Sequence, residues 1–240
     1  YTPRIEASAT VKMGDQASQL RAEGVDVISL GSGSPDFDTP DHIRDGAKAA
    51  LDDGMTQMTM TKGLPALREA IVDKLREDND VETDPERVIV TPGSKYALFQ
   101  SINSLVRSGD EVIILDPAWV SYPAMVNLVG GSVTNVRLDP ETGFSLGSVD
   151  LASVVSDDTQ VLVLNNQSNP TGAVFSREEL AEIRDLAVDH DFWVISDEIY
   201  EKMTYGVEHC SIGSLDGMAD RTVTVNGFSK SYAMSGWRLG

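Results

Sequence analysis

The sequence predicts an α/β fold built on a doubly wound, mostly parallel sheet. From Arg87 to Val225, short apolar runs rich in Val and Ile alternate with longer segments of helical periodicity. That is the pattern of strands buried on both faces and joined by crossover helices. Turn signals such as Pro92-Gly93, Gly130-Gly131 and Asn226-Gly227 punctuate the alternation. No internal repeat or low-complexity linker interrupts it, and 240 residues are enough to bury a substantial core.

Residues 8–23 read as a helix capped by Ser8 and stopped by Gly24, with a short strand at Val25–Leu30. Gly31 to Phe37 is a glycine-containing loop. It lacks the third glycine of a dinucleotide fingerprint and leads into Pro35 instead of a helix, so a nucleotide reading is weak. Thr39-Pro40 opens a helix through Leu51, with Pro40 in the first turn. Gly63-Leu64-Pro65 opens another to about Glu77, with Leu64, Leu67, Ile71 and Leu75 on one face.

Arg87–Thr91 is a buried-strand run, and Pro92 to Lys95 turns into an amphipathic helix, Tyr96–Val106. Glu111–Leu115 is the next strand, followed by a helix to Leu128 and the strand Ser132–Leu138. Thr159–Asn165 is a strand; Ser176 with Glu179 forms a capping-box pattern opening a helix to about His190. Phe192–Ser196 and Arg221–Val225 complete the predicted strands.

Charge excludes several functions. The chain carries 38 acidic against 19 basic residues, a net charge of −19, and only seven of its basic residues are lysines. Such a surface repels nucleic acid and anionic membrane. It also resembles the acid-rich, lysine-poor surfaces of proteins from salt-loving organisms. The single cysteine, Cys210, forms no internal disulfide and suits a reducing compartment. His42, His190 and His209 show no metal-ligand spacing with it, so no metal site is expected. No apolar run approaches the ~18 residues of a membrane span, and no basic-then-apolar signal segment opens the chain, so the expected location is the cytoplasm.

Several residues stand where a sheet of this kind builds its site. Ser229 and Lys230 follow the last strand directly, and Arg238 comes eight residues after the lysine. A desolvated lysine is a nucleophile, and a hydroxyl with a guanidinium suits a phosphate. Gly93, Ser94 and Lys95 lie where a strand turns into a helix N-terminus, a ready anion site. Trp119 follows a strand's carboxyl end, Asn169 sits in an Asn-Pro-Thr-Gly loop, and Asp197 ends another strand. Each also has a plainer reading: a solvated Ser-Lys turn, an empty βα turn, a core tryptophan beside Tyr122, an aspartate that caps the next turn.

The segment Ser229-Lys-x-x-x-Met-x-Gly-x-Arg238 resembles the cofactor-lysine signature of class I aminotransferases, the fold type I pyridoxal-phosphate enzymes. Asn169-Pro-Thr-Gly172, Asp197-Glu-Ile-Tyr200 and the loop Gly31 to Phe37 fall in that family's order, so the resemblance covers nearly the whole chain. Pro117 to Tyr122 and Asn226 to Lys230 look most like archaeal and bacterial aspartate aminotransferases.

The resemblance implies pyridoxal 5′-phosphate bound to Lys230 as a Schiff base, with Lys230 then carrying protons. It implies phosphate contacts from Gly93, Ser94, Lys95, Ser229 and Arg238, and Trp119 stacked on the pyridine ring. Asn169 and Tyr200 would contact the phenolic oxygen, and Asp197 the pyridine nitrogen. Gly33, with Trp119 and Asn169, would meet the substrate. The implied reaction moves an amino group from an L-amino acid, aspartate-type or broad range, to a 2-oxo acid, in a homodimer. Alternatives on the same fold are a lyase acting at the α or β carbon and a non-catalytic cofactor-binding fragment.

The family pattern further implies that residues 1–40 are an N-terminal arm and part of a small domain. Residues 41–240 would be the large cofactor-binding domain, incomplete at its C-terminus, with the C-terminal small domain absent from the chain. Met58 stands where relatives usually place a tyrosine that reaches the partner subunit's phosphate, which weakens that one contact. Gln167 stands where proline is common.

Overall fold

The computed structural model describes residues 9–240 apart from Ser29 and Ser32. Its sheet has five parallel strands: β1 Glu111–Asp116, β2 Ser132–Arg137, β3 Thr159–Asn165, β4 Trp193–Asp197 and β5 Thr222–Val225. Their order is β2-β1-β3-β4-β5. The helices among the described residues are α1 Ala9–Ala22, α2 Asp41–Asp52, α3 Pro65–Asn79, α4 Ser94–Leu105, α5 Ser121–Val129 and α6 Arg177–His190.

The apolar strands sort their side chains by parity. Ile113, Leu115, Leu162, Leu164 and Val194 point to one face, where Leu180, Ile183 and Ala187 of α6 cover them. Val112, Ile114, Val161, Val163 and Ile195 point to the other, under Leu98 and Ile102 of α4 and Tyr122 and Val126 of α5. Each fully buried Leu or Ile stabilises the fold by about 1.5–3 kcal/mol. This two-faced burial explains why the strands read as continuous apolar runs, and it makes the sheet doubly wound, as expected.

Chain order reverses between β1 and β3, since β2 lies on one side of β1 and β3 on the other. Ligands of open α/β sheets bind outside the carboxyl ends of strands at such a switch point. A small crevice there is lined by Ala118, Tyr122, Asn165 and Ser168. The segments after β1, β3, β4 and β5 therefore meet at one edge.

The structure departs from the sequence-based expectation in five places. Arg87–Thr91 is not a buried sheet strand: Pro85–Arg87 is a 3₁₀ turn and Ile89 is 62% exposed. Thr91 instead exchanges two hydrogen bonds with Gly240, at 2.7 and 3.0 Å. None of the described residues of Val25–Leu30 joins the sheet, and Leu30 is 93% exposed. The buried seam of α3 runs through Arg68, Val72 and Asn79, with Leu64 exposed. Arg68 tolerates burial because its guanidinium donates to Pro85 O at 2.7 Å and Glu86 Oε1 at 3.1 Å. Finally, α4 begins two residues earlier than expected, and Pro40 precedes α2 as its N-cap. Capping of α1 by Ser8 lies outside the described residues, while Gly24, with φ 87°, follows the helix end.

Candidate active site

The site begins at Asp197, the last residue of β4. Its side chain has the parity of Ile195 and so faces α5, where the Tyr122 hydroxyl donates to Oδ2 at 2.7 Å. The Ile199 N–H donates to Oδ1 at 3.3 Å. The residue is 3% exposed. Burial pushes its carboxyl up to about 6, against the pull of the Tyr122 and Ile199 hydrogen bonds, and the nearby charge of Glu198 adds to the rise.

β3 supplies the next layer. Asn165 is the register partner of Asp197. Its Nδ2 donates to Asp197 O at 2.9 Å, and its Oδ1 accepts the Asn169 N–H at 2.7 Å. The Asn-Pro-Thr-Gly loop is thereby tied to the end of β4. Asn169 Nδ2 lies 3.5 Å from the Tyr200 hydroxyl. Burial raises the Tyr200 phenol above its ordinary value, and the charge of Asp197 adds to this.

Lys230 comes from the loop after β5. Its Nζ donates to the carbonyl of Gly33 and stands 5.7 Å from the Tyr200 ring centroid. No carboxylate pairs with it among the described residues. Desolvation holds its amine below the ordinary lysine value, the direction that favours the nucleophilic form. Lys230, Gly33, Tyr200 and Asn169 are thus brought together from four separate segments.

A second cluster surrounds the start of α4. Gly93 sits at its N-cap with φ 91°, and a Cβ there would stand 2.5 Å from Arg238 Nη2. A Cβ at Gly240 would stand 2.5 Å from Ser94 N. Arg238 donates to the carbonyls of Ser235, at 2.8 Å, and Pro92, at 3.4 Å, and pairs with no carboxylate among the described residues. The Ser94 and Lys95 N–H groups that open α4 find no acceptor among the described residues, so the helix end and Arg238 converge as an anion cradle. Lys95 sends its ammonium over the Trp119 ring, 4.8 Å from the centroid. Trp119 meets Tyr122 edge-on at 5.4 Å. Ser229 is half-buried in the loop before Lys230. Met58 is 99% exposed and touches none of this.

Sequence reasoning missed Tyr122 and Asn165, the two residues that hold Asp197 and its neighbours. Tyr122 stands three residues beyond Trp119 as α5 opens, a spacing that places both on one side. Also missed was a polar network behind the sheet edge. Glu198 accepts from Ser196 at 2.8 Å, Ser211 at 2.7 Å and Asn79 at 3.3 Å. Its Oε2 is also 3.1 Å from His209 Nε2, while Glu201 pairs with Lys74 and accepts from Asn79. One atom each of Glu198, Glu201 and His209 lie within 4.8 Å of one another. The carboxylates are already engaged by lysine, amide and hydroxyl donors, which is how buried charge is tolerated. More than a hundred residues separate Asn79 from Glu198 and Glu201, so no local spacing could announce that link.

The family profile "Aminotransferase class I and II" matches residues 25–240. The chain belongs to this family of aminotransferases. It is 45% identical over 236 residues to an aspartate/prephenate aminotransferase of Thermus thermophilus, covering 98% of this chain and 61% of that protein. It is 49% identical over 238 residues to an aspartate aminotransferase of Pyrococcus abyssi, covering 98% and 60%. The fold matches the solved aspartate aminotransferase of Thermus thermophilus with maleate, at a TM-score of 0.95 and 44% identity. That match covers all of this chain and 63% of the other, so the chain spans about 60% of the length of its relatives.

Pyridoxal phosphate is the cofactor of class I aminotransferases, and the residues present fit it on three counts. The glycine-lined cradle at Gly93, Ser94 and Arg238 suits a phosphate. Asp197 is a buried carboxylate without a cation among the described residues, which a protonated ring nitrogen would supply. Lys230 is a partly desolvated amine with no carboxylate partner among the described residues.

Proposed function

We propose that the protein transfers an amino group from an L-amino acid, aspartate-type or broad range, to a 2-oxo acid. The observation that carries this reading is the Lys230 amine. It is free of any carboxylate among the described residues and set beside Gly33 and Tyr200, at the edge where Asp197 lies buried. The aspartate aminotransferases of Thermus and Pyrococcus, at 44–49% identity, support it.

When bound, pyridoxal phosphate would supply an aldehyde and an aromatic ring able to accept the electron pair left at the substrate α-carbon. The chain's own residues do the rest. Lys230 would hold the cofactor through its amine and, once the substrate amine has taken its place, would carry the proton that leaves the substrate α-carbon. Asp197 would keep the ring nitrogen protonated, Trp119 would lie against the ring, and Asn169 and Tyr200 would donate to the phenolic oxygen. Gly93, Ser94, Lys95, Ser229 and Arg238 anchor the phosphate, and Gly33 offers its backbone N–H to the substrate carboxylate. The L-amino acid leaves as its 2-oxo acid, and the incoming 2-oxo acid leaves as an amino acid.

Within this reading residues 1–40 form an arm and part of a small domain, and 41–240 the cofactor-binding domain. The working state is a homodimer in the cytoplasm, and the acid-rich composition suits a salt-rich interior. Adding pyridoxal phosphate, reducing with borohydride and mapping the peptides tests the reading. The label is expected on Lys230 and lost in Lys230→Ala. Label spread over other lysines, or absent, would overturn it.

A further inference from the structure

Tyr122 touches two separate arms of the site, the Asp197 carboxylate at the end of β4 and Trp119 after β1. It is 2% exposed and buried in the core beside Met125 and Val126. Its hydroxyl is committed to Asp197 Oδ2 at 2.7 Å, while its ring meets the Trp119 edge at 5.4 Å and 83°. That hydroxyl is the sole side-chain donor to the Asp197 carboxylate among the described residues, the other donor being the Ile199 N–H at the longer distance of 3.3 Å.

We propose that Tyr122 is a positioning residue of this site: it fixes one oxygen of Asp197 while bracing Trp119, so that ring-nitrogen partner and ring-plane partner are held by a single side chain. The inference rests on the aminotransferase reading and extends it to a residue outside the cofactor's own contacts.

The physical argument starts from burial. A carboxylate taken out of water resists ionisation, and each hydrogen bond it accepts opposes that resistance. The groups facing Asp197 are few. Tyr122 comes from α5, and Ile199 N–H and Tyr200 from the turn after β4. Glu198 is its neighbour in sequence. α4, packed on the same side of β4, brings apolar Leu98 and Ile102. No cation stands among the groups that shift it. Removing the Tyr122 hydroxyl therefore leaves Asp197 Oδ2 without a donor in an apolar setting, and the carboxyl holds its proton to higher pH. A neutral Asp197 could no longer demand a cationic ring. Burial and the Asp197 charge likewise hold the Tyr122 phenol well above its ordinary range, so it remains a donor throughout the working pH.

The test uses Tyr122→Phe, which deletes only the hydroxyl, and a chain with 3-fluorotyrosine at 122, whose more acidic hydroxyl donates more strongly. In the cofactor-free protein, carboxyl NMR or infrared difference spectra follow Asp197, identified by its loss in Asp197→Asn. Its midpoint is expected to rise by about one to two pH units in Tyr122→Phe, the size of a hydrogen bond to a charged group. It is expected to fall in the fluorotyrosine chain. Titration of added pyridoxal phosphate then reads affinity, expected to drop about tenfold in Tyr122→Phe at pH 7, with a smaller loss at the acid end of the range.

An unmoved Asp197 midpoint in both variants overturns the proposal, whatever the cofactor does. Shifted midpoints with unchanged pyridoxal-phosphate affinity also overturn it, by separating Asp197 from the ring. Failure of the unaltered chain to take up pyridoxal phosphate at Lys230 overturns the aminotransferase reading itself, and this proposal with it.

Discussion

At the scale of single residues, the site is built from groups that are costly in a folded protein. Asp197 is the clearest. Its carboxyl titrates near 6 in the fold against 3.8 ordinarily, mainly because burial penalises the charge. The folded state therefore binds that proton more tightly than the unfolded state. Asp197 costs nothing below about pH 4, and its cost grows as pH rises, levelling off above about 6. By pH 7 the loss is of the order of 3 kcal/mol. Asp197→Asn keeps an acceptor for the Tyr122 hydroxyl and removes the charge. Urea unfolding of the cofactor-free chain should show the variant more stable than the parent at pH 7, by up to about 3 kcal/mol, and level with it at pH 4. Equal stability at both values would show that the carboxylate is not penalised as its burial implies. On the proposed function such a residue has a use: its charge, with no cation beside it among the described residues, is one that a cationic ligand would complete.

At the scale of elements, what could be read in advance depended on how far apart the partners lie. The capping box of α6 was legible because Ser176 and Glu179 are three residues apart, and both reciprocal bonds form, at 3.2 and 2.8 Å. The second task of Glu179 was not legible. Its Oε1 accepts the Ser145 hydroxyl at 2.6 Å and the Leu146 N–H at 2.8 Å, from residues more than thirty positions earlier. Burial pushes this carboxyl up, but the bonds from Ser145, Ser176 and Leu146 outweigh it and hold it below its ordinary value. Its contribution is thus present above about pH 4.5 and lost as the pH falls through its lowered titration point. Ser176→Ala should cost about 1 kcal/mol, the usual value of an N-cap. Glu179→Ala should cost about 2–3 kcal/mol, because it also frees the 145–148 turn that seats Leu146 in the core. Urea midpoints at pH 7 decide it; equal costs for the two variants would mean that the link to residue 145 carries no weight. The same distance rule explains why Tyr122 and Asn165 went unread while Lys230, Arg238 and Asn169, each inside a short motif, did not.

At the scale of the whole molecule, the sheet was legible and its margins were not. The five strands from Glu111 to Val225 satisfy one another, and all but the half-exposed edge strand β2 are buried or half-buried along their length, so apolar runs announced them. Val25–Leu30 and Arg87–Thr91 have the same composition but no sheet partner along the described residues, and composition alone cannot tell a run that is paired from one that is not. Charge acts at this scale as well. With 38 acidic and 19 basic residues, the folded chain holds an excess of 19 negative charges closer together than the unfolded chain does. Most of the ion pairs are solvent-exposed and contribute little each, so net repulsion is not offset locally. Screening should relieve it, since the Debye length shrinks from about 10 Å at 0.1 M salt to about 3 Å at 1 M. Each kcal/mol recovered should raise the thermal midpoint by roughly 2–4 °C for a chain of this size. Potassium chloride is the salt to use, because sulfate and phosphate would strengthen apolar burial on their own account. The midpoint is expected to climb steadily from 0.05 to 1 M and to flatten once the Debye length falls below the spacing of neighbouring carboxylates. A midpoint that stays level or falls over that range would mean that the excess charge is balanced within the fold, and that the acid-rich composition is no adaptation to salt.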